Sequence, residues 1–290
     1  QTDFSHSAAS SSDGRVINIT TTTPMIADWV KQVGGEHVNV QSIIPPSTDP
    51  HTFQPGAKDI ASITDSNYVF AIGLSYEGLW LTKLLNNHPN IQVVNLGELV
   101  SPIAFDSHGD HESHERGLYD PHFWFDPLRV SSAVLKISDV LSVADSVNAS
   151  FYKGKAEVYL DKLEALDKNI FRDLSNIPES NRKILTEHES LGYLGERYEI
   201  GILRAVIPNF TSESGPRPKD LVNAIELIRS RDVSVIFMEK ETNDKSAEKL
   251  ADEVGIRVAN GLSVETLEIG QTYVDFMKYN IDVIVSNLDN

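Results

Sequence analysis

Residues 128–176 read LRVSSAVLKISDVLSVADSVNASFYKGKAEVYLDKLEALDKNIFRDLSN and contain no proline and a single glycine, Gly154. In the second half of this stretch, apolar residues recur at intervals of three and four positions, at Tyr159, Leu163, Leu166, Ile170 and Leu174. Such spacing places the apolar side chains on one face of an α-helix. The sequence therefore predicts a helical region over residues 129–180 that includes one long helix.

The segments on both sides of this region alternate between β-rich and helical patterns. Before it, strands are predicted at residues 16–21, 38–44, 68–72 and 91–95, and helices at 25–34, 58–64 and 77–85. After it, strands are predicted at residues 183–186, 201–207, 233–238 and 256–258, and helices at 192–198, 218–230, 245–254 and 272–286. Alternation of this kind is typical of a mostly parallel sheet covered by helices. We expect an α/β fold with two lobes, at residues 16–128 and 181–290, joined by the long helix.

Composition excludes several classes of partner and site. The chain has 290 residues, of which 25 are basic and 42 acidic, so its formal net charge is −17. An acidic chain repels polyanions, so we expect no nucleic-acid partner. Cysteine is absent, which excludes disulfides and thiolate metal sites. Any transition-metal site must therefore use histidine and carboxylate side chains.

The N-terminal residues 1–15 (QTDFSHSAASSSDGR) are polar and rich in serine. They are predicted to be a disordered leader that remains after a signal or anchor has been removed. No apolar run approaches the ~18 residues that a membrane-spanning helix needs. A removed signal or anchor would make this an exported protein, periplasmic or on the cell surface, with a lipid anchor before processing as one option.

The tripeptide Asp-Pro-His occurs twice, ending at His51 and at His122. Proline restricts the backbone at and before its own position, so each imidazole is expected on a stiff loop. The preceding aspartate would accept a hydrogen bond from the ring, as metal-bound imidazoles usually require. The alternative is that both segments are Asp-Pro turns that carry histidine by coincidence.

A third histidine, His188, follows the predicted strand 183–186. Residues at the carboxyl ends of parallel strands face the crevice in which α/β sheets bind ligands, so His188 is a candidate ligand. His6, His37 and His88 lie in polar segments and are expected to be ordinary surface residues.

The segment 107–116 (SHGDHESHER) is a short loop rich in histidine and acidic residues. Its three imidazoles, at His108, His111 and His114, would hold a divalent cation weakly and in several geometries. A solvated loop without a metal is the alternative, and the two interpretations are compatible.

Short motifs spread along the chain occur in a characteristic order. In the N-terminal half they are TDPH at 48–51, GLSYE at 73–77 and DPHFWFDP at 120–127. In the C-terminal half they are EHESLGYL at 187–194, RY at 197–198 and IFME at 236–239. Together they resemble the zinc and manganese solute-binding proteins of bacterial ABC importers, the TroA-like family or cluster A-I. The resemblance extends from about residue 16 to the C-terminus.

This resemblance implies one divalent metal ion held between two lobes that a rigid helix connects. By position, His51 and His122 match the two ligands from the N-terminal lobe. His188 matches a ligand that is histidine in most zinc-type members and glutamate in many manganese-type members. Three imidazoles favour Zn²⁺, with Mn²⁺ as the alternative. Because binding requires neutral histidine, we expect affinity to fall as the pH drops through about 6.5.

The fourth ligand is where this sequence departs from the family pattern. The family often supplies an aspartate from the loop after the last strand, and the corresponding residues 259–263 (ANGLS) contain no carboxylate. Water or Glu239, at the end of the preceding predicted strand, is the preferred fourth ligand. Asn260 and Glu265 are the remaining alternatives.

The function that the resemblance implies is metal capture outside the cytoplasm and delivery to an ABC-type membrane permease, by a chain expected to be a monomer. A zinc-dependent hydrolase with water at the fourth position is the alternative, because three histidines and a water also form hydrolytic sites. The chain contains no His-Glu-x-x-His, Gly-x-Ser-x-Gly or phosphate-loop motif, so we expect no enzyme. An adhesin is a third option, although no separate adhesive module is evident.

Overall fold

The computed structural model describes residues 16–48, 50, 53–105, 118–186, 190–203, 218–240 and 245–289. Within these residues, the chain forms two four-stranded sheets, and all the strand pairs in both sheets are parallel. Each sheet belongs to one lobe, and two consecutive helices lie between the lobes in the sequence. The predicted α/β class with two lobes is confirmed.

The N-terminal lobe alternates strands and helices from its first described residues. Its elements are β1 (Ile17–Thr21), α1 (Pro24–Gly34), β2 (Val38–Ser42), α2 (Ala57–Thr64), β3 (Tyr68–Ala71), α3 (Gly78–Asn87) and β4 (Val93–Asn95). The strand order in the sheet is β2-β1-β3-β4. Because β1 and β3 lie at the centre, the loops after them meet at the carboxyl edge, where ligands bind to such sheets.

The C-terminal lobe repeats this arrangement. Its strands are β5 (Lys183–Thr186), β6 (Gly201–Leu203), β7 (Val235–Glu239) and β8 (Arg257–Leu262), in the order β6-β5-β7-β8. Its helices are α6 (Gly192–Tyr198), α7 (Pro218–Arg231), α8 (Lys245–Val254) and α9 (Tyr273–Leu288). The central strands β5 and β7 therefore correspond to β1 and β3 of the first lobe.

The helical region between the lobes consists of two helices, α4 (Pro127–Ala144) and α5 (Ala149–Ser175). They are separated at Asp145, whose carboxylate accepts hydrogen bonds from Asn148 and from the Tyr152 hydroxyl. The predicted long helix is α5, and its apolar stripe is buried. It packs against α1 of the first lobe and α9 of the second, so it connects the two lobes along much of its length.

The two lobes share a continuous core, which lies behind the region where the carboxyl ends of their sheets meet; this region is called the cleft. Trp29 of α1 contacts Tyr273 of α9 edge to face, with 5.6 Å between ring centroids. Asp28, also on α1, accepts hydrogen bonds from the Tyr273 backbone N–H at 3.0 Å and from the Tyr159 hydroxyl of α5 at 3.4 Å. Burial raises the pKa of the Asp28 carboxyl, although these hydrogen bonds oppose the increase. One polar group thus joins three helices at the back of the molecule.

Two details of the sequence interpretation need correction. Strand β8 ends at Leu262 rather than at residue 258, because it pairs with β7 as far as Glu239 through a register shift. Gly261, at φ 103°, permits this irregular pairing. Most of the predicted loop 259–263 is therefore strand. Among the other histidines, His88 is exposed, whereas His37 is half-buried with its ring 4.7 Å from that of Phe151.

Candidate metal centre

His122 lies in a buried segment of the N-terminal lobe, immediately before a short 3₁₀ helix formed by Phe123–Phe125. The residue is 3% exposed. The three aromatic residues that follow it are completely buried, and the carboxylate of Asp126 caps the start of α4. The sequence DPHFWFDP thus fixes His122 from its C-terminal side, because the aromatic side chains belong to the core and α4 begins five residues later, at Pro127.

Asp120 orients the His122 imidazole. Its Oδ1 atom accepts a hydrogen bond from His122 Nδ1 at 2.7 Å and another from the His122 backbone N–H at 2.9 Å. The hypothesis that the aspartate orients the ring is confirmed at this position, and the Asp-Pro turn is present as well. Since a carboxylate only accepts, Nδ1 carries the proton and Nε2 is directed to the other side of the ring.

Glu265 of the C-terminal lobe meets that second nitrogen. Its Oε1 atom lies 3.0 Å from His122 Nε2, and its Oε2 atom accepts a hydrogen bond from the Tyr76 hydroxyl at 3.2 Å. The preceding residue, Val264, accepts a hydrogen bond through its carbonyl from Trp124 Nε1 at 3.0 Å. Two side chains of the first lobe, His122 and Tyr76, therefore hold the Glu265 carboxylate, one at each of its oxygen atoms.

Tyr76 comes from a tightly bent loop after β3. The three residues before it, Gly73, Leu74 and Ser75, all have positive φ angles, of 77°, 55° and 70°. The buried carboxylate of Glu77 stabilises the bend by accepting hydrogen bonds from the backbone N–H groups of Ile72 and Gly73, at 2.7 Å and 3.0 Å. Its own pKa is raised by burial. The loop thus places Tyr76 at the cleft, and it does so with a left-handed backbone at two non-glycine residues, Leu74 and Ser75.

The electrostatics of His122 are dominated by competing effects. Burial lowers the pKa of the imidazole, but the charge of Glu265 and the hydrogen bonds to Asp120 and Glu265 outweigh it and raise the pKa to about 9. This pKa lies above the ordinary value of 6.5 on which the expected pH dependence of metal affinity was based, and that dependence stays a prediction. In the protein alone, both ring nitrogens of His122 carry a proton at neutral pH. A cation that approaches Nε2 must compete with the proton on that nitrogen.

Of the remaining candidate ligands, most lie outside the residues that the structure describes. His51, with Asp49, and His188 lie outside the described residues, as do His108, His111 and His114. Glu239 is largely buried at the end of β7, and a carboxylate of the C-terminal lobe that contacts His122 is that of Glu265. Within the part of the chain that the structure describes, no group of three or more metal-binding side chains converges. The ligation of Glu239 stays a prediction.

The position of Glu265 in the sequence was a signal for a role at this site, but Glu265 was predicted only as one of the less favoured ligands. It is the first carboxylate after β8, and so it lies in the loop after the last strand, where the resemblance implies an acidic ligand. The signal was obscured because the strand was predicted to end too early.

Among the described helices, none is long and apolar enough to cross a bilayer.

Comparison with known proteins settles the family. The family model of ZnuA, the periplasmic component A of a zinc-uptake complex, matches residues 19–287. The chain belongs to the ZnuA family. Because this is a family of solute-binding uptake components, the prediction that the protein is not an enzyme is confirmed.

Other ZnuA-like proteins show the same relationship along almost the whole chain. The manganese-binding lipoprotein MntA of Halalkalibacterium halodurans is 27% identical over 96% of this chain and 90% of its own length. The zinc-binding lipoprotein AdcA of Streptococcus pneumoniae is 28% identical over 96% of this chain, which corresponds to 56% of AdcA. The predicted extracytoplasmic location agrees with the family description and with these names.

Solved structures support the fold. The periplasmic zinc binding protein TroA from Treponema pallidum superposes with a TM-score of 0.81 at 23% identity, covering 95% of this chain and all 100% of TroA. A crystal structure of ZnuA gives a TM-score of 0.78 at 23% identity, with 95% and 100% coverage. At this level of identity, the similarity establishes the architecture of two lobes and a connecting helix.

Proposed function

We propose that this ZnuA-family chain captures one divalent transition-metal ion outside the cytoplasm and delivers it to an ABC-type membrane permease. In this proposal His122 and Glu265 are two of the ligands, and His51 and His188 are the others. The single observation that carries the proposal is the approach of His122 Nε2 to Glu265 Oε1, at 3.0 Å across the cleft. It brings together two metal-binding atoms from opposite lobes, with Nδ1 already occupied by Asp120.

The distance between these two atoms is close to what a shared metal ion requires. With ligand bonds of ~2.1 Å and a tetrahedral angle, the two ligand atoms would lie roughly 3.4 Å apart. The observed 3.0 Å differs from this by about 0.4 Å, a shift that side-chain rotation supplies. The ion would replace the proton on Nε2, and the positive charge between the Asp120 and Glu265 carboxylates would be retained.

We propose zinc as the ion, with manganese as the alternative. Three imidazoles and one carboxylate form a set of nitrogen and oxygen ligands that suits Zn²⁺ in a closed, four-coordinate site. The relatives include proteins named for manganese and for zinc, so their names support a divalent metal without choosing between the two. A fourth protein ligand would also leave no open position for a catalytic water, unlike the sites of zinc hydrolases.

Two subsidiary proposals follow the sequence interpretation. The histidines of the loop, His108, His111 and His114, would form an accessory, weaker site that increases the local supply of metal. The chain would act as a monomer toward its permease, since each molecule carries both halves of the site. Neither proposal is needed for the binding of the ion between the lobes.

The test of the proposed function is metal binding by purified protein and by the variant His122→Ala. We expect the natural chain to hold one equivalent of zinc against a competing chelator, and His122→Ala to lose at least about 100-fold in affinity, because it removes a ligand. Thermal unfolding with and without zinc provides the control for folding. Unchanged affinity in a folded His122→Ala protein would contradict the proposed site.

A further inference from the structure

Ala104 and Tyr119 form an isolated antiparallel bridge, and the short two-stranded ribbon around it, which carries Asp120, includes a side chain from the other lobe. In an antiparallel pair, two opposite residues ordinarily exchange two backbone hydrogen bonds. Here the Asp120 N–H donates directly to the Ile103 carbonyl at 2.9 Å. The second bond passes through the Tyr193 hydroxyl, which accepts from the Ile103 N–H at 3.2 Å and donates to the Asp120 carbonyl at 2.6 Å. Tyr193 is completely buried and belongs to α6 of the C-terminal lobe.

The residue before Tyr193 approaches the Asp120 side chain itself. A Cβ atom added to Gly192 would lie 2.6 Å from Asp120 Oδ2, closer than any normal contact. The opposite oxygen of the same carboxylate, Oδ1, accepts the two hydrogen bonds from His122. The backbone of α6 therefore closes the space behind the carboxylate whose front orients the imidazole, and a larger residue at position 192 would push that carboxylate toward His122.

Resting on the proposed function, we propose that Gly192 and Tyr193 of the C-terminal lobe are positioning residues for metal binding, which act on His122 through Asp120. Tyr193 fixes the main chain of Asp120, and Gly192 fixes the place of its carboxylate. Neither residue touches the metal. Their effect on affinity depends on the orientation of His122 Nε2, which Asp120 controls through Nδ1.

This arrangement couples the two lobes at the site. Gly192 lies four positions after His188, the proposed ligand of the C-terminal lobe. The same short segment thus supplies a proposed ligand at one end and positions a ligand of the opposite lobe at the other. A displacement of α6 would therefore disturb the orientation of His122, a proposed ligand from the opposite lobe, through Asp120.

The first test is Tyr193→Phe in the full chain, with Tyr198→Phe as the matched control. Tyr198 lies on the same helix and is also buried, but its hydroxyl donates to Asp167 of α5 at 2.9 Å, in a network that does not include Asp120. Both changes remove one oxygen atom and one buried hydrogen-bonding group. We expect zinc affinity, measured with a competing chelator, to weaken about 10-fold in Tyr193→Phe, in the range typical of residues that support metal ligands, and to stay unchanged in Tyr198→Phe.

The second test is Gly192→Ala, with Gly154→Ala as its control. Gly192→Ala removes no hydrogen bond, so it changes the position of Asp120 by contact alone, whereas a Cβ at Gly154 meets no atom within 4 Å. We expect Gly192→Ala to weaken zinc binding about 10-fold and Gly154→Ala to leave it unchanged. This second pair keeps the inference testable if Tyr193→Phe does not fold.

A spectroscopic measurement separates positioning from general loss of stability. In proton NMR, the Nδ1–H of His122 bonded to Asp120 should give a downfield resonance that is absent in His122→Ala. We expect Tyr193→Phe and Gly192→Ala to shift this resonance, and the two control variants to leave it in place. Affinities and resonances that are equal between each variant and its control would overturn the inference. The absence of zinc binding by the natural chain would instead overturn the proposed function.

Discussion

The front and the back of the cleft join the two lobes by different kinds of interaction. At the back, α1, α5 and α9 share an apolar core, and Asp28 accepts hydrogen bonds from Tyr159 and Tyr273. At the front, a buried imidazole lies between the carboxylates of Asp120 and Glu265. The back therefore determines how the lobes are held, and the front contains the groups whose charge changes when a cation binds. In the proposed function, capture of the ion would involve exchange of the groups at the front, while the shared core at the back stays in place.

The first prediction concerns the pH dependence of stability at the front of the cleft. The folded pKa of His122, about 9, is above its unfolded value of 6.5. The stabilisation is therefore fully present below pH 6.5 and is lost as the pH rises through about 9. In protein without added metal, we expect the free energy of unfolding to decrease by up to about 3 kcal/mol over this window.

Chemical denaturation between pH 6 and 9.5 measures this decrease, and His122→Gln, which cannot be protonated, is the control in which it should be absent. Saturating zinc should also remove it, because the metal displaces the proton. An equal decrease in the natural chain and in His122→Gln would show that other groups are responsible.

The second prediction compares the two candidate carboxylates of the C-terminal lobe. Glu265→Gln replaces the anionic group beside His122 by a neutral one, so we expect zinc affinity to fall on the order of 100-fold, or about 2.7 kcal/mol. Glu239→Gln is the matched change at the end of β7, and we expect less than a 3-fold effect (~0.6 kcal/mol). Calorimetric titration against a competing chelator measures both. The reverse order of effects would make Glu239 the ligand.

The third prediction concerns the back of the cleft. Asp28→Ala removes the acceptor for the Tyr273 N–H and the Tyr159 hydroxyl, and we expect it to lower the free energy of unfolding by about 2 kcal/mol. Asp28→Asn keeps an acceptor oxygen and removes a carboxyl whose pKa is raised by burial, so it should cost much less. Zinc affinity should be unchanged in both variants. A large loss of affinity in Asp28→Ala would mean that the back also shapes the site.

The comparison of front and back also shows what the sequence could reveal. The apolar spacing in α5 and the Asp-Pro-His motif at His122 are local patterns, and they correctly predicted a long helix and a contact of Asp120 with the His122 ring. Glu265 was underrated because the end of β8 depends on its pairing with β7, including a shift at Met238 and Glu239. The proposed positioning role of Tyr193 was not predicted, because its partners Ile103 and Asp120 are distant from it in the sequence. Local sequence patterns thus could not predict the contacts between the lobes.

The smallest predicted effect tests the connecting helix. Gly154 lies within α5, and a Cβ there meets no atom within 4 Å. Because alanine loses less backbone entropy than glycine on folding, Gly154→Ala should raise the free energy of unfolding by ~0.5–1 kcal/mol. Denaturant titration measures the change, and zinc affinity and dissociation rate should not change with it. A slower release of zinc in this variant would indicate that bending of α5 takes part in release.

The most direct measurement is a crystal structure of the zinc-loaded protein, with anomalous diffraction at the zinc edge to locate the ion. The account predicts a single strong anomalous peak about 2 Å from both His122 Nε2 and Glu265 Oε1, with Asp120 still bonded to Nδ1. A peak bonded to neither atom, or a His122–Glu265 contact that persists unchanged beside a metal bound elsewhere, would contradict it.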